Sequence, residues 1–315
     1  MNLVFCGTPK FAVPSLRKLV ESGYNVTLVV TQPDRPSGRG LGLAASPVKQ
    51  FSSEHGFPVV QPEKIKNNTE FRALLEQHAP QAIIVVGYGR IIPQWMIDLP
   101  LWGNLNVHAS LLPKYRGAAP IQWAIASGEK VTGVTTMRID AGLDTGDILL
   151  QREMPIGEGD TSLTVSPPLA ELGAELLIET LRGLEAGTVR STPQDHSRHT
   201  LAPMLRREDG LIDFARPAQV IYDRFRGFQP WPGAFTFFRG KQVTLHAMRA
   251  SLGTGGPGEL RTSGDQLLVA ADKGSAIDIQ ELQLEGKKRM SARDFINGYR
   301  PKPGERFESV AVKQA

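Results

Sequence analysis

The sequence predicts an α/β chain of two domains, a parallel sheet covered by helices followed by a small β-barrel. Three observations carry this. The first half alternates short apolar β-rich runs with helical patterns, whereas the stretch beyond residue 210 shows mainly short β-rich runs separated by glycine turns. A length of 315 residues also exceeds one typical core, so two domains are expected.

The runs at residues 3–6, 26–31, 59–61 and 82–87 read as strands, with helices at 12–22, 47–55 and 69–78 between them. Alternation of this kind argues for a parallel sheet with helices on its faces. Ile83-Ile84-Val85-Val86 is apolar without a break, as a strand buried on both faces requires. Gly7-Thr8-Pro9 turns the first strand into a helix, but the turn lacks GxGxxG and any GKS or GKT. Neither a dinucleotide fingerprint nor a P-loop is present. Residues 31–47, TQPDRPSGRGLGLAASP, have almost no periodic apolar pattern and read as a long surface loop, uncommon inside a domain unless it is functional or disordered.

Residues 104–123, NLNVHASLLPKYRGAAPIQW, are the centre of the chemistry. Along the strand at 105–108, period-two geometry puts Asn106 and His108 on one face and Leu105 and Val107 on the other. A polar pair on an otherwise apolar strand is costly unless something uses it. Ser110-Leu111-Leu112-Pro113 then turns the chain, and Ala118-Ala119-Pro120 opens a helix. A strand end, a loop and a helix start are where α/β proteins place their sites. Residues 133–150, GVTTMRIDAGLDTGDILL, follow as a β-rich run and a loop carrying Asp140, Asp144 and Asp147. One aspartate in such a loop is usually a turn former. Three among glycines point to a site. An amide donor, a histidine and a carboxylate can hold a developing oxyanion and manage a proton, so acyl or one-carbon transfer is the chemistry they suggest.

Residues 169–185, LAELGAELLIETLRGLE, form an amphipathic helix closing the first domain, and Pro167 and Pro168 are tolerable only in its first turn. The polar stretch 189–209 reads as a linker. His196 and His199 are spaced as metal ligands could be, but with no third ligand nearby they read as solvated linker residues, and no metal is expected. A short strand at 211–214 and a helix at 218–225 precede five β-rich runs at 236–238, 242–247, 258–261, 266–271 and 276–283, which suggest a small barrel. The aromatic segment Phe228-Gln229-Pro230-Trp231-Pro232 reads as a packing anchor rather than a base-stacking platform. The expected domains are therefore 1–188, a linker at 189–209, and 210–315.

Apolar residues at 41% and charged residues at 22% describe an ordinary globular protein. The N-terminus runs straight into a strand with no basic leader, and no long apolar segment occurs, so secretion, import and membrane spanning are unsupported. Cys6 is the only cysteine, which rules out an intrachain disulfide and suits a reducing cytoplasm. It lies in an apolar strand without a basic neighbour and reads as packing. The net charge of +4 is concentrated, because residues 286–306 hold seven basic side chains, Lys287, Lys288 and Arg289 among them, against two acidic ones. Such a patch is often just a solvated face, but it also fits a phosphate-rich partner.

The motifs NVHxSLLPxYRGAAPIQWAI and GVTxMxxDxGLDTGDIL resemble those of the folate-dependent formyltransferases. FCGTPKFA and TQPDRPSGRG narrow the likeness to the branch that acts on initiator methionyl-tRNA, and the likeness spans nearly the whole chain. It implies a Rossmann-like formyltransferase domain followed by an OB-like barrel that binds tRNA, in a cytoplasmic monomer. The implied formyl donor is 10-formyltetrahydrofolate, with no metal. Asn106, His108 and Asp144 take the catalytic positions. Ser110, Leu111, Leu112 and Pro113 would line the folate pocket with backbone groups, and Tyr88 and Gly89 would close its pterin end. The loop at 31–47 would reach the tRNA acceptor stem through Arg35 and Arg39, while Lys287, Lys288 and Arg289 would contact it from the barrel. Leu41-Gly42-Leu43 replaces the lysines usual after GRG, and Pro167-Pro168 interrupts a helix that is continuous in the family. A related enzyme acting on an amino sugar shares the Asn, His and Asp set and PWPGAF, and a tRNA-binding protein with a decayed site is the reading from another class.

Overall fold

A computed structural model of the chain describes residues 1–37 and 42–309. The described chain divides into two compact units. One takes in Met1–Pro120, Val131–Pro155 and Thr164–Pro203, the other Ile121–Lys130, Ile156–Leu163 and the remainder from Met204.

The first unit is built on a sheet of seven strands: β1 (Asn2–Gly7), β2 (Asn25–Val30), β5 (Val59–Val60), β6 (Ala82–Val86), β7 (Asn104–His108), β8 (Val131–Arg138) and β9 (Ile148–Pro155). Their order is β5-β2-β1-β6-β7-β8-β9. From β5 to β7 every pairing is parallel, and β8 and β9 then run antiparallel. The expected parallel sheet is therefore mixed at one edge. The physical reason is that no helix lies between β8 and β9, so the crossover a parallel pair needs is missing there, and β9 alternates in exposure as an antiparallel edge strand does. In β1, Leu3, Val4, Phe5 and Cys6 are all fully buried. Val4 and Cys6 join Leu28, Val30, Ile83 and Val85 on one face, against Phe71 and Leu75 of α3 (Thr69–His78). Burial pushes the Cys6 thiol well above its ordinary range, in keeping with a packing role.

Two local expectations are corrected. The segment read as a loop at 31–47 contains a short hairpin, β3 (Arg35–Ser37) with β4 (Gly42–Ala44), ahead of α2 (Pro47–Glu54). Its base is tied by Lys49 Nζ donating to Asp34 Oδ2 at 2.6 Å and Gln61 Nε2 donating to Asp34 Oδ1 at 2.7 Å. The long helix α6 spans Ser162–Glu185, so Pro167 and Pro168 sit in its second turn, not its first. Neither proline has an N–H for the carbonyl four residues before it, yet Val165, Leu169, Ala170 and Ala174 bury the helix face on both sides of them.

In the second unit a six-stranded antiparallel sheet runs β10-β11-β14-β13-β12, with β15 beside β14. These are β10 (Ala234–Phe238), β11 (Lys241–Leu252), β12 (Leu260–Ser263), β13 (Gln266–Ala271), β14 (Ser275–Leu284) and β15 (Met290–Ser291). Five of the six coincide with the β-rich runs, and β15 is too short to leave a pattern. The chain at 305–308 joins the two edge strands: Leu260 N donates to Glu305 O, Phe307 N to Gly258 O, and Phe237 N to Glu308 O. That closure removes the open edges, as a small barrel requires. α7 (Ala218–Gly227) and α8 (Ala292–Tyr299) complete the core, where Phe238, Phe295 and Phe307 stack edge to face at 5.3–6.0 Å. Phe228 is fully buried against Trp123 at 5.2 Å, an anchor as expected, but Trp231 is 55% exposed and is not.

Candidate active site

The order β5-β2-β1-β6-β7 places the reversal of strand order between β1 and β6, and a crevice beyond the carboxyl ends of such strands is where open α/β sheets bind ligands. Asn106 and His108 stand at that end of β7. Asp144 arrives from the loop between β8 and β9, held at φ +50. The three converge: Asn106 Nδ2 is 3.4 Å from Asp144 Oδ1, and His108 Nδ1 is 3.7 Å from Asp144 Oδ2. The imidazole is 6% exposed and the carboxylate 17%, so little water screens them.

The surrounding bonds assign each group an orientation. His108 Nε2 lies 2.9 Å from Tyr115 O, and a carbonyl can only accept, so Nε2 carries a hydrogen. Nδ1 is then the nitrogen left to face Asp144. Asp144 Oδ2 accepts from Gly117 N at 2.8 Å. Gly117 has φ +123, and a Cβ there would meet Ala202 O at 2.7 Å, so this donor position requires glycine. Of the other acids, Asp140 is the turn former, accepting from Gly142 N at 3.0 Å and Thr145 Oγ1 at 2.7 Å. Asp147 accepts on its backbone carbonyl from Arg138 N at 2.9 Å and is part of the strand exit.

The loop of Ser110, Leu111, Leu112 and Pro113 is fastened from beneath. Thr135 Oγ1 donates to Ser110 O at 2.7 Å and accepts from Leu112 N at 3.1 Å. Gln151 Nε2 donates to Leu112 O at 2.9 Å and to Thr135 Oγ1 at 2.9 Å. Leu111 O accepts from Lys114 N at 3.1 Å. Most of the backbone groups expected to line a ligand pocket thus have internal partners, which leaves the loop to act through its shape. Tyr88 is buried in the sheet core at 1% exposure, so only its backbone and Gly89 face the strand ends. Gln32 Nε2 donates to the carbonyls of both, at 3.0 and 3.1 Å.

Residues 1–181 match the formyl transferase family and residues 204–300 its C-terminal domain. A methionyl-tRNA formyltransferase of Koribacter versatilis is 68% identical over 98% of both chains. One from Acidobacterium capsulatum is 62% identical over 95% of this chain and 96% of its own. This chain belongs to the methionyl-tRNA formyltransferase family. The solved N-formyltransferase of Helicobacter canadensis, in complex with folinic acid and dTDP-3-aminofucose, shares the fold with a TM-score of 0.66 at 18% identity, over 90% of this chain and 99% of that one.

Of the basic residues that the family likeness singles out, Arg39 lies outside the described residues. Arg35 is exposed and 3.8 Å from Glu63. Lys287 and Lys288 are exposed in the turn between β14 and β15, but Arg289 pairs with Glu281 and Arg293 lies 3.5 Å from Asp265. Acids outside the basic stretch, Glu281 and Asp265, thus offset part of it. Among the described residues no group of three His, Cys, Asp or Glu could hold a metal, and no helix is long and apolar enough to cross a membrane. Sequence reasoning missed Thr135, Gln151, Arg116 and Gln194. A threonine inside an apolar strand was a usable signal for Thr135; Gln194 stood in a polar stretch with nothing to distinguish it.

Proposed function

We propose that the chain transfers the formyl group of 10-formyltetrahydrofolate to the methionine α-amine of initiator methionyl-tRNA, preparing it for initiation of protein synthesis. The observation that carries this is the convergence of Asn106 and His108 on Asp144 at the carboxyl end of β7, in a chain so close to its relatives along its whole length. The amine attacks the formyl carbon directly, forming a C–N bond and a tetrahedral oxyanion. The bond from that carbon to N10 of the folate then breaks, N10 takes up a proton, and the amine gives one up.

Asn106 is the neutral, directionally fixed donor to the oxyanion. His108 and Asp144 handle the amine proton. With Nε2 committed to Tyr115 O, the exchangeable position on the ring is Nδ1, beside the carboxylate, and a water between the amine and Asp144 would carry the proton outward. The loop from Ser110 to Pro113, with the backbone at Tyr88 and Gly89, forms the folate side. Arg35, Arg39, Lys287, Lys288 and Arg289 contact the tRNA, whose phosphates dominate affinity. The chain acts as a cytoplasmic monomer.

Turnover with 10-formyltetrahydrofolate and methionyl-tRNA tests the reading, with an amino-sugar nucleotide as competing acceptor. Formyl-methionyl-tRNA is the expected product. Formylation of the amino sugar alone would assign the chain to the other branch, and no turnover of either would leave a binding protein.

A further inference from the structure

The polar stretch that follows α6 is fastened to both catalytic loops. Ile148 and Thr192 exchange two backbone hydrogen bonds of 2.9 Å. Two residues on, Gln194 is 5% exposed and every hydrogen-bonding position of its amide is used. Its Nε2 donates to Asp144 O at 2.9 Å and to Gly146 O at 2.7 Å, and its Oε1 accepts from Arg116 Nε at 3.1 Å and Nη2 at 2.6 Å. Arg116 is itself buried at 4% and is also held through its backbone, donating to Thr200 O at 2.9 Å and accepting from Ala202 N at 2.7 Å.

These contacts fall on the two least relaxed points of the site. Asp144 has φ +50 and Tyr115 φ +61, conformations that cost side-chain-bearing residues about 1–3 kcal/mol each and persist only when surrounding contacts hold them. Asp144 supplies the carboxylate and Tyr115 the carbonyl that orients His108. Gln194 bonds directly to the first and to Arg116, the residue after the second. We infer that Gln194 is a positioning residue, a buried amide that sets the distance between the Asp144 carboxylate and the His108 imidazole. The proposal rests on the catalytic roles given above to those two residues. Only an amide serves here. A carboxylate would keep both bonds from Arg116 but could not donate to the carbonyls of Asp144 and Gly146, and a thioether would do neither.

The test compares Gln194→Glu, Gln194→Met and Asp144→Asn in the intact protein, with melting temperature and steady-state kinetics for 10-formyltetrahydrofolate and methionyl-tRNA. Gln194→Glu keeps the pair with Arg116 but sets a carboxylate oxygen against the carbonyls of Asp144 and Gly146, so it should melt below the parent and, assayed where it remains folded, lose about tenfold to a hundredfold in kcat with each KM within about threefold. Gln194→Met should lose as much kcat and melt lower. A merely structural role would lower the melting temperature and leave kcat of the folded protein alone. If Asp144→Asn is impaired while both Gln194 variants keep kcat within about twofold, the positioning role is refuted and the site stands. If Asp144→Asn is fully active, the site assignment falls and takes this inference with it.

Discussion

Replacing Thr135 with valine keeps the volume of a fully buried strand residue and removes one hydroxyl. That hydroxyl donates to Ser110 O at 2.7 Å and accepts from Leu112 N at 3.1 Å and Gln151 Nε2 at 2.9 Å. Leu112 N then becomes an orphan in a buried setting, at about 1–3 kcal/mol, and loss of the bond to Ser110 O adds about 1 kcal/mol. Gln151 keeps its second acceptor at Leu112 O, so its share is small. A total of about 2–4 kcal/mol lowers the melting temperature by roughly 3–6 °C for a chain of 315 residues. Because the bonds that fail are those under the loop from Ser110 to Pro113, KM for 10-formyltetrahydrofolate should rise severalfold while kcat at saturation changes less. Calorimetry and steady-state kinetics on Thr135→Val and Thr135→Ser measure both. Serine opens a methyl-sized cavity but retains all three hydrogen bonds, so it should be the milder change. A packing explanation gives the opposite order, and Thr135→Ser melting below Thr135→Val, or Thr135→Val melting like the parent, would refute the reasoning.

Asn106→Ala should lower kcat about a hundredfold to a thousandfold, the usual cost of losing an oxyanion donor, with folate affinity nearly unchanged in an equilibrium titration. Asp144→Asn should change both the size and the pH dependence of kcat, while Asp147→Asn should be much milder, since only Asp144 points at the imidazole; the reverse order in a pH–rate series would mean that the wrong carboxylate is assigned. Hydrogen bonds from Lys49 and then Gln61 hold the Asp34 carboxyl below its ordinary value of 3.8. A depressed folded-state value stabilises above the unfolded one and is lost as pH falls through it, so Asp34→Asn should melt below the parent at neutral pH and the gap should close below about pH 3.8. Changing Lys287 and Lys288 together to alanine should weaken initiator and elongator tRNAs alike and flatten the log K against log salt plot by up to about two, readable by filter binding over a salt series.

Periodicity in the sequence was enough for the α/β character, the helix at Thr69–His78 to the residue, five barrel strands and the common face of Asn106 and His108, because each depends on local geometry in which spacing alone decides who shares a side. The chemistry of the site was likewise legible from which side-chain types crowd 104–123 and 133–150. Strand direction was less so: β8 is antiparallel because of how the chain returns, which leaves no mark on a strand buried almost throughout, whereas β9 alternates in exposure as an antiparallel edge strand does. Residue type alone did not separate Asp140, Asp144 and Asp147, which are chemically alike; the family motif singled out Asp144, and the loop's fold spends Asp140 on its own turn. The polar stretch around Gln194 carried no apolar pattern, and its burial comes from bonds to Arg116, Asp144 and Gly146 that lie far away in sequence. Hydrogen bonding between remote segments has no period. It exists only once the sheet has brought both loops to one end of β7, and that is why tertiary structure alone could turn an apparent linker into part of the site.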